Sequence, residues 1–142
     1  MEIRTLKIED YDSLIALWES ANLPYKPQGR DSKREMKRQI ECDSDLMLGA
    51  FEDGNLIGVI FGTDDGRKGW INRLAVEPSH ERKGLAKKLI LAVEDALRAR
   101  GRKIICTLIE DWNKGSLILF KKMDYVKHED IFYLSKREDD DV

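Results

Sequence analysis

The sequence predicts an α/β (α+β) fold, a mixed and mostly antiparallel sheet of six to seven strands covered by about four helices. Two observations support this fold class: apolar runs of strand length recur along the chain, and segments with helical apolar spacing separate them. The third is a long helical segment between two strand-like runs, which requires a crossover and places those two strands parallel. The predicted order is β-α-α-β-β-β-α-β-α-β.

The N-terminal quarter of the chain supplies the first strand and two helices. Residues 2–7 alternate between apolar and polar side chains, as a half-buried strand does. Residues 9–21 carry apolar side chains at helical spacing, and an asparagine and a proline end that helix. Residues 24–31 are rich in Pro and Gly and predict a loop. An S-x-x-E capping box then opens a second helix over residues 32–41.

Three strands are predicted to follow the second helix directly. Residues 46–52 and 55–63 are apolar runs, and the Asp53-Gly54 dipeptide between them is typical of a two-residue hairpin turn. A polar, glycine-containing turn leads to a third strand over residues 70–76. Pro78 cannot donate a ladder hydrogen bond, and it ends that strand.

The C-terminal half begins with the longest predicted helix, residues 84–100, followed by a buried strand over residues 103–109. A short helix is expected over residues 113–123. Residues 125–134 are expected to hold the last strand or strands of the sheet. The acidic tail, residues 136–142, is expected to be frayed.

Length and charge narrow the class of protein. The 142 residues fit a single domain, residues 1–142. The net charge of -2 gives no overall attraction to nucleic acid or to a membrane, so neither is expected as a partner. The two cysteines, Cys42 and Cys106, do not form a disulfide framework. Neither a secretory leader nor an apolar run of membrane-spanning length is recognisable, and a cytoplasmic location is expected.

The most informative segment is the basic glycine turn Glu81-Arg82-Lys83-Gly84-Leu85-Ala86, which lies between a strand and the long helix. A helix N-terminus offers unpaired N–H groups and the positive end of the helix dipole. Gly84 and the small Ala86 permit close approach of a ligand to the backbone, and Arg82 and Lys83 add positive charge. Together they suit a diphosphate group.

Several other ligand-binding motifs are absent from the sequence. The chain lacks the G-x-x-x-x-G-K-[ST] and G-x-G-x-x-G phosphate patterns and the G-x-S-x-G pattern of serine hydrolases. His80 and His128 lack the spacing of metal ligands, and no metal site is expected.

Two spaced motifs resemble the GNAT acetyltransferase superfamily. Its [Q/R]-x-x-G-x-[G/A] motif corresponds to residues 81–86, which follow the Leu-Ala-Val-Glu-Pro segment at residues 74–78. Its N-x-x-[AS]-x-x-[LF]-[YF]-x-x-x-G-F motif corresponds to residues 113–125. Glu81 departs from the usual Gln or Arg, and Asp124 replaces the usual Gly at a position that often needs a positive φ.

The resemblance implies acetyl-CoA as cosubstrate and a splayed parallel pair of central strands, opened by a β-bulge. It implies that the main chain of residues 74–76 binds the pantetheine arm and that the Leu74 N–H stabilises the oxyanion. Asn113 is expected to reach the pantetheine from the other side. The full expected cofactor-binding set is Leu74, Ala75, Val76, Arg82, Lys83, Gly84, Leu85, Ala86, Asn113, Ser116, Phe120 and Lys122.

The catalytic residues are harder to assign. The tyrosine that often protonates the departing thiolate in this family is replaced by Phe120. Because an unperturbed thiol has a pKa of about 8.5, CoA thiolate can leave without that help. Glu110 is the hypothesised general base or water-relay partner, and Asn72 could position the relay water. Simple solvation of a loop remains the alternative for Glu110 and Asp111.

The expected reaction is transfer of an acetyl group to a primary amine by direct attack in a ternary complex. The acceptor is a small molecule or a peptide, and loop 24–31 is expected to form part of its binding wall. There Arg30 could hold an acidic group and Asp31 an amine, although Asp31 or Ser32 could simply cap the second helix. The alternative function is a CoA-binding or acyl-CoA-binding regulatory module with little or no turnover. The apolar residues 131–134 leave open a homodimer.

Overall fold

The computed structural model describes all residues, 1–142. It contains one five-stranded sheet in which spatial order follows sequence order. The first three pairings are antiparallel and the last is parallel. The strands are β1 (Glu2–Thr5), β2 (Met47–Glu52), β3 (Asn55–Asp64), β4 (Gly69–Val76) and β5 (Ile105–Thr107).

Four α-helices accompany the sheet, as expected, with three short 3-10 turns at residues 8–10, 44–46 and 78–80. Ser32 caps the second helix by accepting a hydrogen bond from the Glu35 N–H at 3.2 Å, as the S-x-x-E pattern predicts. No helix combines the length and the apolar character needed to cross a membrane. The helices are α1 (Tyr11–Ser20), α2 (Lys33–Cys42), α3 (Leu85–Ala99) and α4 (Lys114–Lys122).

Apolar side chains on both faces of the sheet are buried. On β2, Met47 and Phe51 pack with α1 and α2, whereas Leu48 and Ala50 pack with α3 on the opposite face. Because successive side chains of a strand point to opposite faces, a strand covered on both sides reads as a continuous apolar run. This arrangement explains why the sequence shows strands without clear alternation.

The hairpin between β2 and β3 forms where the Asp-Gly dipeptide predicts it. Asp53 and Gly54 both have positive φ angles, 52° and 81°, as a type I′ turn requires. The turn places β3 at the centre of the sheet. There it pairs with β2 on one side and β4 on the other.

β4 and β5 separate after three paired residues, the last being Ile71 with Thr107. β4 continues to Val76 with no partner on that side, so the two parallel strands form the splayed pair that the family resemblance implies. On its other side β4 carries a bulge against β3: Val59 pairs with Ala75, but Phe61 pairs with Asn72. Three residues of β4 therefore span the distance of two residues of β3.

The expectation of six to seven strands was wrong, because residues 125–134 form no strand and the sheet ends at β5. β5 has only three residues, which gives a further strand few backbone groups with which to pair. The apolar segment 131–134 lies in solvent instead, with side-chain exposures from 68% to 85%. The buried strand expected over residues 103–109 is likewise shorter, and its residues are only half-buried.

Candidate active site

The open edge of β4 provides unpaired backbone groups over Asn72 to Val76. The Glu77 N–H donates to the Ile57 carbonyl of β3 at 2.8 Å. Because N–H groups alternate sides along a strand, those of Val76 and Leu74 face away from β3, toward the gap beside β5. An extended ligand could pair with this edge as an added strand does.

Arg73 shapes the bulge that precedes this edge. Its φ angle of 52° lies in the left-handed region, which residues other than Gly rarely adopt. Its guanidinium reaches across to the loop between α1 and α2: Nη1 donates to the Pro24 carbonyl at 2.7 Å and Nη2 to the Asp31 carboxylate at 3.2 Å. The same guanidinium lies over the Trp18 ring, 4.2 Å from its centroid. These contacts hold the unusual backbone conformation.

Asp31 has surroundings that the sequence did not predict. It is 4% exposed, and its Oδ2 also accepts from the Lys26 N–H at 2.8 Å. Ser32, not Asp31, caps α2. Burial lowers the pKa of the Arg73 guanidinium, although the Asp31 carboxylate opposes that shift. No sequence signal indicates this pair, since its members are 42 residues apart.

The turn before α3 exposes a run of free main-chain donors. No oxygen of the chain accepts from the N–H groups of residues 82–87, and the first hydrogen bond of the helix is from Lys88 to Gly84, at 3.1 Å. Arg82 and Gly84 have positive φ angles of 63° and 77°, with Lys83 between them. Alternating conformations of this kind form the concave sets of N–H groups that bind anions. Gly84 has no side-chain cap, so the helix N-terminus is open to a ligand.

The side chains around this turn add positive charge without paired carboxylates. None of Arg82, Lys83, Lys87 and Lys88 forms a salt bridge. A shallow cavity of about 130 Å³ adjoins the turn, lined by seven residues that include Lys83, Leu85 and Lys88. The turn therefore combines free donors, unpaired cations and space, as the diphosphate interpretation requires.

The α4 residues of the expected cofactor set differ in how they are placed. Asn113 caps α4 by accepting from the Ser116 N–H at 3.2 Å, so its amide NH₂ group is left to donate. Ser116 is half-buried and Lys122 is exposed. Phe120 is 4% exposed and packs edge-to-face on Tyr125, with ring centroids 4.9 Å apart. The position of Phe120 indicates a core role.

Tyr125 is the tyrosine nearest in sequence to Phe120, but its hydroxyl is bonded elsewhere. It donates to the buried Glu94 carboxylate of α3 at 2.5 Å. Burial and the hydrogen bond to Glu94 raise the pKa of Tyr125 above its usual range. The hydroxyl thus joins α3 to the end of α4, and it does not take the place of the missing tyrosine acid.

The three predicted catalytic groups lie on or after the two strands that border the splayed gap. Thr107 Oγ1 donates to the Ile71 carbonyl at 3.0 Å where β4 and β5 part. Next to it on β4, the Asn72 amide donates to Thr63 Oγ1 at 3.1 Å, which leaves its Oδ1 free to accept. Glu110 follows β5, is exposed and forms no ion pair. The structure places Asn72 and Leu74 on one side of the gap and Glu110 beyond the end of the other strand.

Comparison with known proteins decides the family. A model described as the Acetyltransferase (GNAT) family matches residues 13–125, which include both the bulged strand and the basic turn. The chain belongs to the GNAT acetyltransferase family. The motifs at residues 81–86 and 113–125 both fall inside the matched region.

Full-length relatives agree with this assignment. An acetyltransferase of Sodalis glossinidius is 32% identical over 137 residues, which is 96% of this chain and 95% of the relative. The crystal structure of PaiA N-acetyltransferase from Thermoplasma acidophilum in complex with coenzyme A is 26% identical, with a TM-score of 0.73. The match covers 86% of this chain and 87% of that one.

A third comparison concerns the fold alone. The aminoglycoside N-acetyltransferase AAC(6')-Iy, in complex with a bisubstrate analogue containing CoA, has a TM-score of 0.75 at 19% identity. It covers 96% of this chain and 97% of that one. The GNAT acetyltransferase therefore shares its strand and helix arrangement with proteins that bind CoA. The free donors of residues 82–87 and the open edge of β4 fit that cosubstrate.

Proposed function

We propose that this GNAT acetyltransferase is a cytoplasmic N-acetyltransferase that transfers the acetyl group of acetyl-CoA to a primary amine. One observation carries the proposal: an unpaired strand edge at residues 72–76 leads directly to six free N–H groups at residues 82–87. An extended thioester arm suits the first, and a diphosphate suits the second. Both cysteines are free thiols, as in a reducing compartment.

In the proposed reaction the acceptor amine attacks the thioester carbonyl directly. The Leu74 N–H donates to the carbonyl oxygen as that oxygen gains negative charge, which is the role of an oxyanion donor. The bulge at Arg73 fixes the direction of this N–H, because it sets where β4 resumes after the left-handed residue. The C–S bond then breaks, and the products are an amide and CoA.

No tyrosine acid is proposed, because Phe120 is buried and Tyr125 is bonded to Glu94. The thiolate can leave and take its proton from solvent, since an unperturbed thiol has a pKa of about 8.5. The amine needs more help. An ammonium with a pKa of about 10.4 is almost fully protonated at neutral pH and must lose a proton before it attacks.

We assign that proton transfer to Glu110, directly or through a water positioned by Asn72. The Glu110 carboxylate has no partner that would hold it elsewhere, and Asn72 Oδ1 is free to accept. Asn72 lies on β4 next to the point where the parallel strands part, and Glu110 follows the end of β5. A relay across the gap would connect the amine to solvent.

The test is direct measurement of turnover. Purified protein is incubated with acetyl-CoA and a panel of amines and peptides, while free thiol release and the acetylated product are followed. We expect thiol release that depends on a primary amine. CoA binding by calorimetry without thiol release for any acceptor would instead favour a regulatory CoA-binding module, which the buried Phe120 keeps as the second candidate. Absence of CoA binding would exclude both functions.

We further propose that the chain forms a homodimer through residues 131–134. Phe132 and Leu134 are 84% and 85% exposed, and β5 has no neighbour on its outer edge. Burying these side chains against a second copy removes a large apolar surface from water. Analytical ultracentrifugation should give a dimer for the parent and a monomer for the Phe132→Ser, Leu134→Ser variant. A monomeric parent at micromolar concentration would contradict the proposal.

A further inference from the structure

The C-terminal tail, residues 139–142, lies against the loop between α1 and α2. Lys26 Nζ donates to the Asp140 carbonyl at 2.7 Å, and Arg30 Nη1 donates to the Val142 main-chain oxygen at 3.4 Å. Arg137 also donates to that Val142 oxygen, at 2.8 Å, which curls the tail onto the loop. Each of these acceptors is a main-chain oxygen. The Asp140 carbonyl is a group that any extended peptide presents, whereas the Val142 oxygen belongs to the last residue of the chain.

The contacting loop is rigid by its own hydrogen bonds. The N–H groups of Gly29 and Asp31 both donate to the Lys26 carbonyl, at 3.0 and 3.1 Å. The Lys26 N–H donates back to the Asp31 carboxylate at 2.8 Å, and Ser32 bonds to the Gly29 carbonyl at 3.1 Å. A surface formed in this way loses little conformational entropy when a ligand binds.

The absence of a side chain at Gly29 leaves room for the tail backbone. A Cβ atom at this position would clash with the Asp141 carbonyl oxygen. Only glycine permits the tail backbone to approach so closely. A second cavity, about 360 Å³, continues alongside the tail and is lined by residues that include Arg30, Arg34 and Val142.

The charges of the two partners are complementary. The loop and the start of α2 present Lys26, Arg30 and Arg34, and the tail carries three consecutive aspartates, residues 139–141. Attraction between opposite charges adds to the main-chain hydrogen bonds and favours an acidic partner.

The loop lies next to the catalytic strand. Arg73 connects the two, because its guanidinium bonds to Pro24 and Asp31 while its backbone directly precedes Leu74. Arg30 is 3.9 Å from the same Asp31 carboxylate. A series of contacts therefore runs from Val142 through Arg30, Asp31 and Arg73 to Leu74, the proposed oxyanion donor.

We infer that loop 26–32 is a docking subsite for an extended acidic peptide and that the chain's own tail occupies it. This inference rests on the proposed function, and it deepens it, since it assigns the acceptor wall to a peptide substrate. The tail and an incoming acidic peptide exclude each other, because both require the Lys26 and Arg30 donors and the space over Gly29.

The experiment measures peptide binding, which needs no turnover. A fluorescent peptide with the sequence of residues 136–142 is titrated into the full chain and into a chain that ends at Glu138. We expect the shortened chain to bind the peptide at least tenfold more tightly, because its subsite is free. Equal affinity for both chains would overturn the inference. Retained CoA affinity shows that each protein is folded.

Four further titrations locate the subsite. In the shortened chain, Lys26→Gln with Arg30→Gln should abolish binding, as should Gly29→Val. The matched control, Lys37→Gln with Arg38→Gln, removes two exposed cations of α2 outside the loop and should leave the affinity unchanged. A peptide with lysines in place of the aspartates should not bind. Binding that survives the loop substitutions, or a lysine peptide of equal affinity, contradicts the inference.

Failure of the inference differs from failure of the proposed function. Suppose the protein releases thiol from acetyl-CoA but binds the peptide equally with and without its tail. The proposed N-acetyltransferase activity then stands, and the docking subsite is rejected. Suppose instead that the protein binds the peptide only when shortened and never releases thiol. The docking subsite then stands, and the N-acetyltransferase assignment is rejected.

Discussion

The Arg73 guanidinium and the Asp31 carboxylate form an ion pair, with 3.2 Å between Nη2 and Oδ2, at side-chain exposures of 19% and 6%. The pair joins the bulge of β4 to the loop that holds the tail. A buried pair of this kind adds little net stability over an apolar pair, but the loss of one partner leaves an uncompensated charge. Its role is to fix the position of two backbone segments relative to each other.

The first prediction concerns this pair. Asp31→Ala should lower the free energy of unfolding by up to about 3–5 kcal/mol, because the partly buried Arg73 is left without a counter-ion. The double variant Asp31→Ala, Arg73→Met should recover part of the loss. Urea unfolding followed by circular dichroism measures all three proteins.

The matched control is the pair Arg38 and Glu35, which is 2.8 Å apart on the exposed face of α2. Arg38→Met should change stability very little, since solvent screens exposed pairs. If Asp31→Ala changed the free energy of unfolding as little as Arg38→Met does, the ion pair would not hold the loop to β4.

The second prediction concerns the turn before α3. Gly84→Ala should weaken CoA binding by about tenfold or more, because a Cβ at a φ of 77° is strained by about 1–2 kcal/mol and shifts the N–H groups. Gly66→Ala is the matched control, since Gly66 also has a positive φ, 87°, and open space around its Cβ position. Calorimetric titration with CoA should show a lower affinity for the Gly84 variant than for the Gly66 variant. Equal affinities would show that the turn does not bind CoA.

Arg82→Ala tests the charges of the same turn separately from its backbone. CoA affinity should fall, and the fall should shrink as salt increases, because exposed charges are screened. The kcat value should change less than the affinity. A variant with unchanged CoA affinity at low salt would show that Arg82 does not contact the diphosphate.

The third prediction concerns the base. Glu110→Gln should lower kcat/KM by about 10²–10⁴-fold near neutral pH, with recovery at high pH where the amine is already deprotonated. Asp111→Asn, the neighbouring exposed carboxylate, should have little effect. A Glu110→Gln enzyme with full kcat/KM across pH 6–9 would assign the proton transfer to another group.

The fourth prediction concerns pH and the turn between β3 and β4. The Asp65 carboxylate accepts from the Lys68 and Arg67 N–H groups and from Trp70 Nε1, which lowers its pKa to about 2. A lowered pKa in the folded state stabilises the protein above the unfolded value of 3.8, and this contribution is lost as pH falls from there to about 2. Asp65→Asn should lower Tm at pH 7 but not at pH 2. A constant difference across that range would contradict the assignment.

Local chemistry made much of the fold predictable. The Asp53-Gly54 turn and the Ser32 cap each depend on a few adjacent residues, and both formed as expected. Asp124 has the positive φ, 71°, that the family pattern requires at that position. The basic turn was recognisable because its glycine, its cations and the following helix are contiguous in the chain.

Features that depend on distant residues were not predictable. Arginine is not a residue expected in the left-handed region, so nothing near Arg73 indicates the position of the bulge. Its partner Asp31 lies 42 residues away. The last strand was predicted from an apolar run, but a strand also needs a paired neighbour, and β5 has only three residues.

The donors of residues 82–87 belong to the main chain, and this affects how the enzyme tolerates mutation. Apart from proline, a side-chain substitution cannot delete an N–H group, so replacing Glu81 or Lys83 leaves the main-chain donors of this turn in place. The vulnerable changes are those that alter the path of the backbone, such as a proline, a one-residue deletion or the loss of Gly84. In a library of single variants, we therefore expect loss of a cation such as Arg82 to weaken CoA binding in part and the few backbone-altering changes to weaken it most.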